Sequence, residues 1–537
     1  MKKTMSLILA LVMILTSMPL VFAQEDDPTI RYKEPITLTW MTTTTEDYPM
    51  DDSNEALKKI FDVIAEKTNV TVKWVPVPAA DYQSVYTTTL LTSQKDWPNL
   101  ITNACSTINS DGYDGAFVRL DDIMKEKMPN VYAEMEALDA WDSIIDLTYE
   151  SGYAIPRTRQ MQNSKGYLIR MDLVEACGLE EPTTLAEFAD CLRAIKAYNA
   201  DKVPENMNYP FVARGNVVDW VCQSYGAWGM HSIYWTADEN GVYELNLRKD
   251  EWRECLEYWH QLYVEGLIDP EVIVGDTNRW LSYMNNGYAA ATIDYSVRAS
   301  QFTDALRYPS ADAQAAGVEP VENALVAGLV PLSLEEGGFA TIAGNNPVYV
   351  STSVGITTAC SKAEMEAAFC LLNYIYSDEG RKLLSWGLDG WSYDGLDENG
   401  DPIWKSDLAD NYSIAKTSEY GIQPGIARPL TDAEDDFTYQ GINGDAKRKN
   451  QGHYEPIHPA GLLTDAEWAE HGTIFTDVQT LYMASISEFI TGKRSLDDEG
   501  WAQFQKELDD RNADRLMELQ NKAVQQAADK LAELGID

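Results

Sequence analysis

The chain has 537 residues and a formal net charge of −43, set by 85 acidic against 42 basic side chains. A field of that sign repels phosphate backbones, so nucleic acid is excluded as a partner, and the length calls for two or three lobes rather than one core. Solubility is the plainest consequence of so much charge, ahead of any specific acidic role.

Lys2 and Lys3, the apolar run from Met5 to Met18 and the ending Val21-Phe22-Ala23 read as an export signal over residues 1–23. That run is shorter than the roughly 18–20 residues of a spanning helix, and no later stretch is longer, so no membrane insertion of the mature chain is expected. Loss of the two signal lysines takes the charge to −45. A strand is expected over 35–42, with Ile36, Leu38 and Trp40 alternating. A helix follows over 52–67, with Leu57, Ile60, Phe61 and Ile64 on one face and Asp52-x-x-Glu55 resembling a capping box. Residues 70–77 alternate again, 81–92 are helical, and Pro98-Asn99-Leu100-Ile101 opens another strand. Strand–helix–strand order favours an α/β lobe with a largely parallel sheet. Gly152 to Arg157, punctuated by Gly and Pro, reads as a crossing between lobes. Helices are expected over 182–198 (Thr184-x-x-Glu187 at its start), over 250–265 with Trp252, Leu256, Trp259 and Tyr263 in one stripe, and after Ser361-x-x-Glu364. Residues 391–460 read as long ordered loops, and from 476 onward the chain is nearly all helical.

Seven cysteines stand at 105, 177, 191, 222, 255, 360 and 370, an odd number with no CxxC, so buried free thiols are expected over disulfides. None lies near the end of the signal, where a lipid-anchored chain would carry one.

Several strings resemble the family 1 extracellular solute-binding proteins of ABC importers, in particular the large oligosaccharide-type members. Tyr263-Val264-Glu265-Gly266-Leu267-Ile268-Asp269-Pro270-Glu271 is similar to that group's Y-x-E-G-L-I-D-P-E run. Tyr153-Ala154-Ile155-Pro156-Arg157, Arg170-Met171-Asp172-Leu173 and Pro182-Thr183-Thr184-x-x-Glu187 follow in its order, as do Asn373 to Gly380, Gly387 to Tyr393 and Phe489-Ile490-Thr491-Gly492. The resemblance implies an α/β, two-lobed, periplasmic-binding-protein-like (type II) fold with hinge crossings and a helical C-terminus. It implies a guest held in the interlobe cleft and passed to ABC transporter permease subunits. Lobes are expected over 24–156 plus 351–395 and over 157–350 plus 396–537. Some relatives carry a calcium loop where this chain has Asn199 to Glu205; here Lys202 intrudes and the glycines are missing, so no cofactor or metal is expected.

Secreted chains rich in Trp and Tyr suit sugars, whose apolar ring faces stack on aromatic side chains. The densest aromatic cluster is Trp220, Tyr225, Trp228, Tyr234 and Trp235, interrupted by glycines; a ligand loop and a small core under a loop are equal readings. Trp391 and Tyr393, with Trp386 and Trp404 nearby, form a second cluster beside an implied crossing. Trp40 closes the first strand, at the end where such lobes place ligands, with core packing as its alternative. Asp294 and Arg298 flank Tyr295 as a hydroxyl-binding set or a structural ion pair, and Arg157 is in reach of the cleft. A ring-lined cleft requires Trp40, Trp228 and Trp391 to border one crevice. No GxSxG, HExxH, P-loop or GxGxxG occurs. The favoured function is capture of an oligosaccharide or related polyhydroxylated solute by a monomer outside the membrane. A secreted carbohydrate-active enzyme and a ligand sensor for a membrane receptor remain the alternatives.

Overall fold

The computed structural model describes residues 27–534 except 104–106, 139–140, 159–164, 215–219, 222, 274, 344–347, 410–413, 432–440 and 456–460. The expected signal, Cys105 and Cys222 lie outside the described residues; the five other cysteines are free thiols. No helix among the described residues is long and apolar enough to cross a membrane.

The first lobe is built on β1 (Ile36–Thr44), β2 (Val70–Pro78), β3 (Leu100–Asn103) and β4 (Ile155–Thr158). The second holds β5 (Lys165–Arg170), β6 (Ala291–Tyr295) and β7 (Val326–Gly328), in the order β6-β5-β7 with antiparallel pairs. β8 (Val348–Ile356) returns to the first sheet, antiparallel between β3 and β4, which completes the order β2-β1-β3-β8-β4. β1 pairs in parallel with β2 and β3.

Helix α1 (Glu55–Thr68) buries Leu57, Ile60, Phe61 and Ile64, the face its spacing predicts. Its cap differs from expectation. Asn54 accepts the Leu57 N–H, so the helix begins there and the Asp52–Glu55 box does not form. In the second lobe, α2 (Leu185–Tyr198) carries the expected Thr184–Glu187 box. α3 (Asp250–Val264) buries Trp252 and Trp259, and α4 (Thr277–Asn285) is capped by Asp276. α5 (Lys362–Ile375) starts at the Ser361–Glu364 box and packs its apolar side into the first core, beside α6 (Asp378–Trp386). α7 (Gly441–Asn450) lies on β7, and α8 (Asp465–Ile490), α9 (Asp498–Asp509) and α10 (Ala513–Leu534) wrap the second lobe.

Among the described residues the chain goes from the first sheet to the second between Thr158 and Lys165, returns between Gly328 and Val348, and crosses again between Leu430 and Gly441. Val348 pairs with Thr158, and Thr158 exchanges backbone hydrogen bonds with Arg428 and Leu430, so Thr158, Val348 and Leu430 lie together at one end of the first sheet. The carboxyl ends of β1 and β3 point the same way, the end at which open α/β sheets receive ligands.

The lobe boundaries move accordingly. β4 extends the first lobe beyond 156, and β8 brings it in from 348. The stretch expected in the second lobe from 396 instead packs on the first up to Leu430. Tyr48 Oη donates to the Ile422 carbonyl (2.8 Å), Asn54 Nδ2 to Ser418 Oγ (2.9 Å), and Ile426 and Ala427 join the first core. Within 391–460, expected as loops, lie a hairpin (Tyr393–Leu396 with Pro402–Trp404) and α7.

Candidate functional site

Lys165 is the first described residue after the chain leaves Thr158, so the start of β5 and the end of β6 face the first lobe. The β5–β6 register sets Lys165 opposite Tyr295 and Gly166 opposite Asp294. Phe211 bridges to Ala291 and to Ile268, and this brings Arg214 alongside the same strand end.

Asp294 is 2% exposed and is the hub. Arg214 donates Nε to its Oδ2 and Nη2 to its Oδ1 (3.2 Å), a bidentate pair. Arg298 brings Nε to 3.5 Å from Oδ1, and the Tyr295 backbone N–H donates to the same oxygen (2.8 Å). Trp280, held by a bond from its Nε1 to Thr292 Oγ1 (2.9 Å), has the guanidinium carbons of Arg214 and Arg298 at 5.2 and 5.4 Å from its ring. Tyr295, 37% exposed, has Lys165 Nζ at 5.2 Å and the Arg214 guanidinium at 5.4 Å from its ring. A cavity of about 250 Å³ opens here, lined by Lys165, Arg214, Trp220, Thr277, Asp294 and Tyr295. Trp220 is 1% exposed, and its Nε1 has no hydrogen-bond partner among the described residues. Across the crossings, the buried Thr42 hydroxyl near the carboxyl end of β1 also lacks a partner among them.

Of the residues singled out from sequence, Asp294, Tyr295, Arg298 and Trp220 therefore come together. Arg214, Lys165 and Thr277 were missed. Arg214 carried one faint signal, as the charged residue that ends the apolar run Phe211-Val212-Ala213.

The other rings stand elsewhere. Trp40 is fully buried in the first core, tilted against Trp74, with Nε1 donating to Thr102 Oγ1 (3.0 Å). No face of it is left for a sugar, so core packing is the correct reading. Trp228 packs beside Tyr258, and Trp235 lies with Tyr234 against Phe475 of α8. Tyr225 is buried and donates its hydroxyl to Glu455. Trp228 and Trp235, by contrast, are half-buried. Trp391 sits on the flank of the first lobe, with Lys59 Nζ 3.7 Å from its ring centre and Nε1 donating to the Tyr420 carbonyl (3.4 Å). Trp40, being fully buried, borders no crevice with Trp228 or Trp391 among the described residues. Tyr393 meets Trp386 edge-on, and Trp386 Nε1 donates to Thr431 Oγ1 (3.0 Å). Arg157 lies on β4 within electrostatic reach of Tyr376. In the stretch from Asn199 to Glu205, Lys202 Nζ lies 2.9 Å from the centre of the Tyr198 ring.

The family model for bacterial extracellular solute-binding proteins matches residues 59–388. The chain belongs to that family. Among curated relatives, lipoprotein LipO of Bacillus subtilis is 26% identical over 263 residues, 48% of this chain and 49% of LipO. The fructooligosaccharide ABC transporter substrate-binding protein FusA of Streptococcus pneumoniae is 23% identical over 276 residues, with the same shares. The chain spans about half the length of the curated relatives it matches. An extracellular solute-binding protein from Bifidobacterium longum subsp. infantis superposes with a TM-score of 0.70 at 16% identity, covering 92% of this chain and 98% of that one. At that identity the likeness bears on the fold alone. This solute-binding protein is mixed α/β with two lobes, as the resemblance implies.

Proposed function

We propose that this solute-binding protein captures an oligosaccharide between its lobes outside the membrane and hands it, chemically intact, to the permease of an ABC importer. One observation carries the reading. The cavity around Asp294 opens at the end of the second sheet where β5 starts at Lys165, the next described residue after Thr158 of the first sheet, and hinge closure there would seal a guest. Fixed arginines and an exposed tyrosine ring there suit hydroxyls and a sugar face. The binding role of Asp294, Tyr295, Arg298 and Trp220 belongs to this proposal; Arg214, Lys165 and Thr277 join them, and Tyr393 and Arg157 border the first-lobe side. Family membership supports binding over catalysis. The test is thermal unfolding of the purified protein with a glycan panel, followed by mass analysis of each glycan. Binding at about 100-fold excess over Kd stabilises by about 2.7 kcal/mol, a readable rise in midpoint. Shortened glycan would replace this reading with that of an enzyme.

A further inference from the structure

A second cavity, of about 460 Å³, lies wholly within the second lobe. Arg170, the last residue of β5, lines it, whereas Lys165, the first, lines the cavity around Asp294. Five steps of extended strand set these two residues about 17 Å apart. Its walls come from the end of α2, the turn after α4 and residues 317–323. Its volume falls within the roughly 300–1,000 Å³ of small-molecule sites.

Two polar side chains of this lining are more than nine-tenths buried and hold unused hydrogen-bonding capacity. Arg170 is 3% exposed. It gives Nε and Nη2 to Asp172, which also accepts the Leu325 N–H (3.2 Å), and its Nη1 has no partner among the described residues. Gly287 forms the wall beside that nitrogen: a Cβ added there would stand 3.5 Å from Nη1. Asn199 is 5% exposed. Its backbone is spent on Ile195, Lys202 and Val203, while its carboxamide has no hydrogen-bond partner among the described residues. Much of the remaining lining is aliphatic, from Leu173, Val203, Leu306, Val318 and Val321.

These groups select among guests. The bidentate bond to Asp172 already neutralises the Arg170 guanidinium, so Nη1 offers a donor with no charge left to balance. A carboxylate only accepts, and would leave the Asn199 carbonyl oxygen unmet. A guest group that both donates and accepts replaces water at both side chains without loss. A bare sugar does so, but turns hydroxyls toward the aliphatic wall, and the one strongly exposed ring in the lining, Tyr198, has Lys202 Nζ 2.9 Å from its centre. A secondary amide bearing an aliphatic side chain meets both needs.

We propose that this cavity is a second ligand site, separate from the one around Asp294, and that it takes a short aliphatic peptide. A peptide carbonyl accepts from Arg170 Nη1, the adjoining N–H donates to the Asn199 carboxamide, and a leucine- or valine-like side chain lies on Leu306, Val318 and Val321. The site is independent of what the cleft binds.

The test is calorimetric titration of the full chain with N-acetyl-leucine methylamide. The comparison probes are 4-methylpentanoate, which keeps the tail and replaces the amide by a carboxylate, and N-acetylglucosamine, which keeps the amide and replaces the tail by a sugar. The capped leucine is expected to bind at least about fivefold tighter than either. Asn199→Leu, at a backbone φ of −89° that any residue adopts, should weaken the capped leucine at least about fivefold and leave binding of any glycan in the cleft unchanged. Should that variant fail to fold, Val321→Gln, which places an amide in the aliphatic wall, is expected to weaken it likewise. No binding of the capped leucine, equal or tighter binding of the acid or the amino sugar, or an affinity unmoved by the folded variant overturns the proposal, and none of these outcomes touches the saccharide reading.

Discussion

Glu455 provides the sharpest test of the buried polar groups in the second lobe. Its carboxyl is 8% exposed and accepts a hydrogen bond from Tyr225 Oη. Burial pushes its pKa to about 8, while the Tyr225 bond pulls the other way. In the unfolded chain an ordinary glutamate titrates near 4.3. Between those values the folded state holds a proton that the unfolded state has released, so stability falls as pH rises through the window from about 4.5 to 8. Below it the group contributes no slope, and above it the full penalty is present. Taken over the whole window, the penalty is on the order of 5 kcal/mol. Glu455→Gln keeps a neutral carbonyl acceptor for Tyr225 and cannot ionise.

The assay is thermal unfolding of wild type and Glu455→Gln across pH 5 to 8. Near pH 5 the two should unfold alike. By pH 8 the variant should be the more stable by about 2–4 kcal/mol, several degrees in midpoint for a lobe of this size. Glu455 is also tied to its neighbours through the backbone: its N–H donates to the Ile342 carbonyl (3.0 Å) and the Ile342 N–H to that of His453 (2.8 Å). A difference between the two proteins that stays constant across the pH range would refute the reasoning.

Gly226→Ala should cost about 3 kcal/mol or more, because its Cβ would stand 2.0 Å from the Thr341 carbonyl oxygen, a backbone atom that cannot turn aside; urea unfolding measures it. Trp40→Phe should lose about 2–3 kcal/mol, from a small void and the unmet Thr102 hydroxyl, while saccharide affinity by titration stays unchanged. Asp294→Asn should lower stability by about 1–3 kcal/mol, less than a fully buried pair because Arg214 and Arg298 reach solvent, and should weaken saccharide binding more than tenfold in the same titration.

What the sequence disclosed was mostly local. Thr184 with Glu187 and Ser361 with Glu364 announce helices because the whole cap lies within four residues. Asp294 and Arg298 were legible for the same reason, four residues apart at the end of an apolar run. Arg214 was not, because the β6 strand end that joins it to Asp294 lies 80 residues further along the chain. Asp52–Glu55 misled because Asn54, two residues closer to the helix than Asp52, captures the Leu57 N–H first. The late return of the chain to the second lobe was hidden too. Ile422, Ile426 and Ala427 are too sparse to show a period, yet each is fully buried.

The aromatic clusters misled for a different reason. A ring serves a sugar only if one face is left open, and composition does not report faces. Trp220 is edge-on to Trp259, Trp40 tilts against Trp74, and Lys59 lies over Trp391. With 15 tryptophans in the chain, packing against one another and against cations is the ordinary fate of such rings. At the end of β6 the polar contacts join residues far apart in sequence: Asp294 holds Arg214 as well as Arg298, and Lys165 and Arg214 both lie beside the ring of Tyr295, so no local pattern announces Lys165 or Arg214.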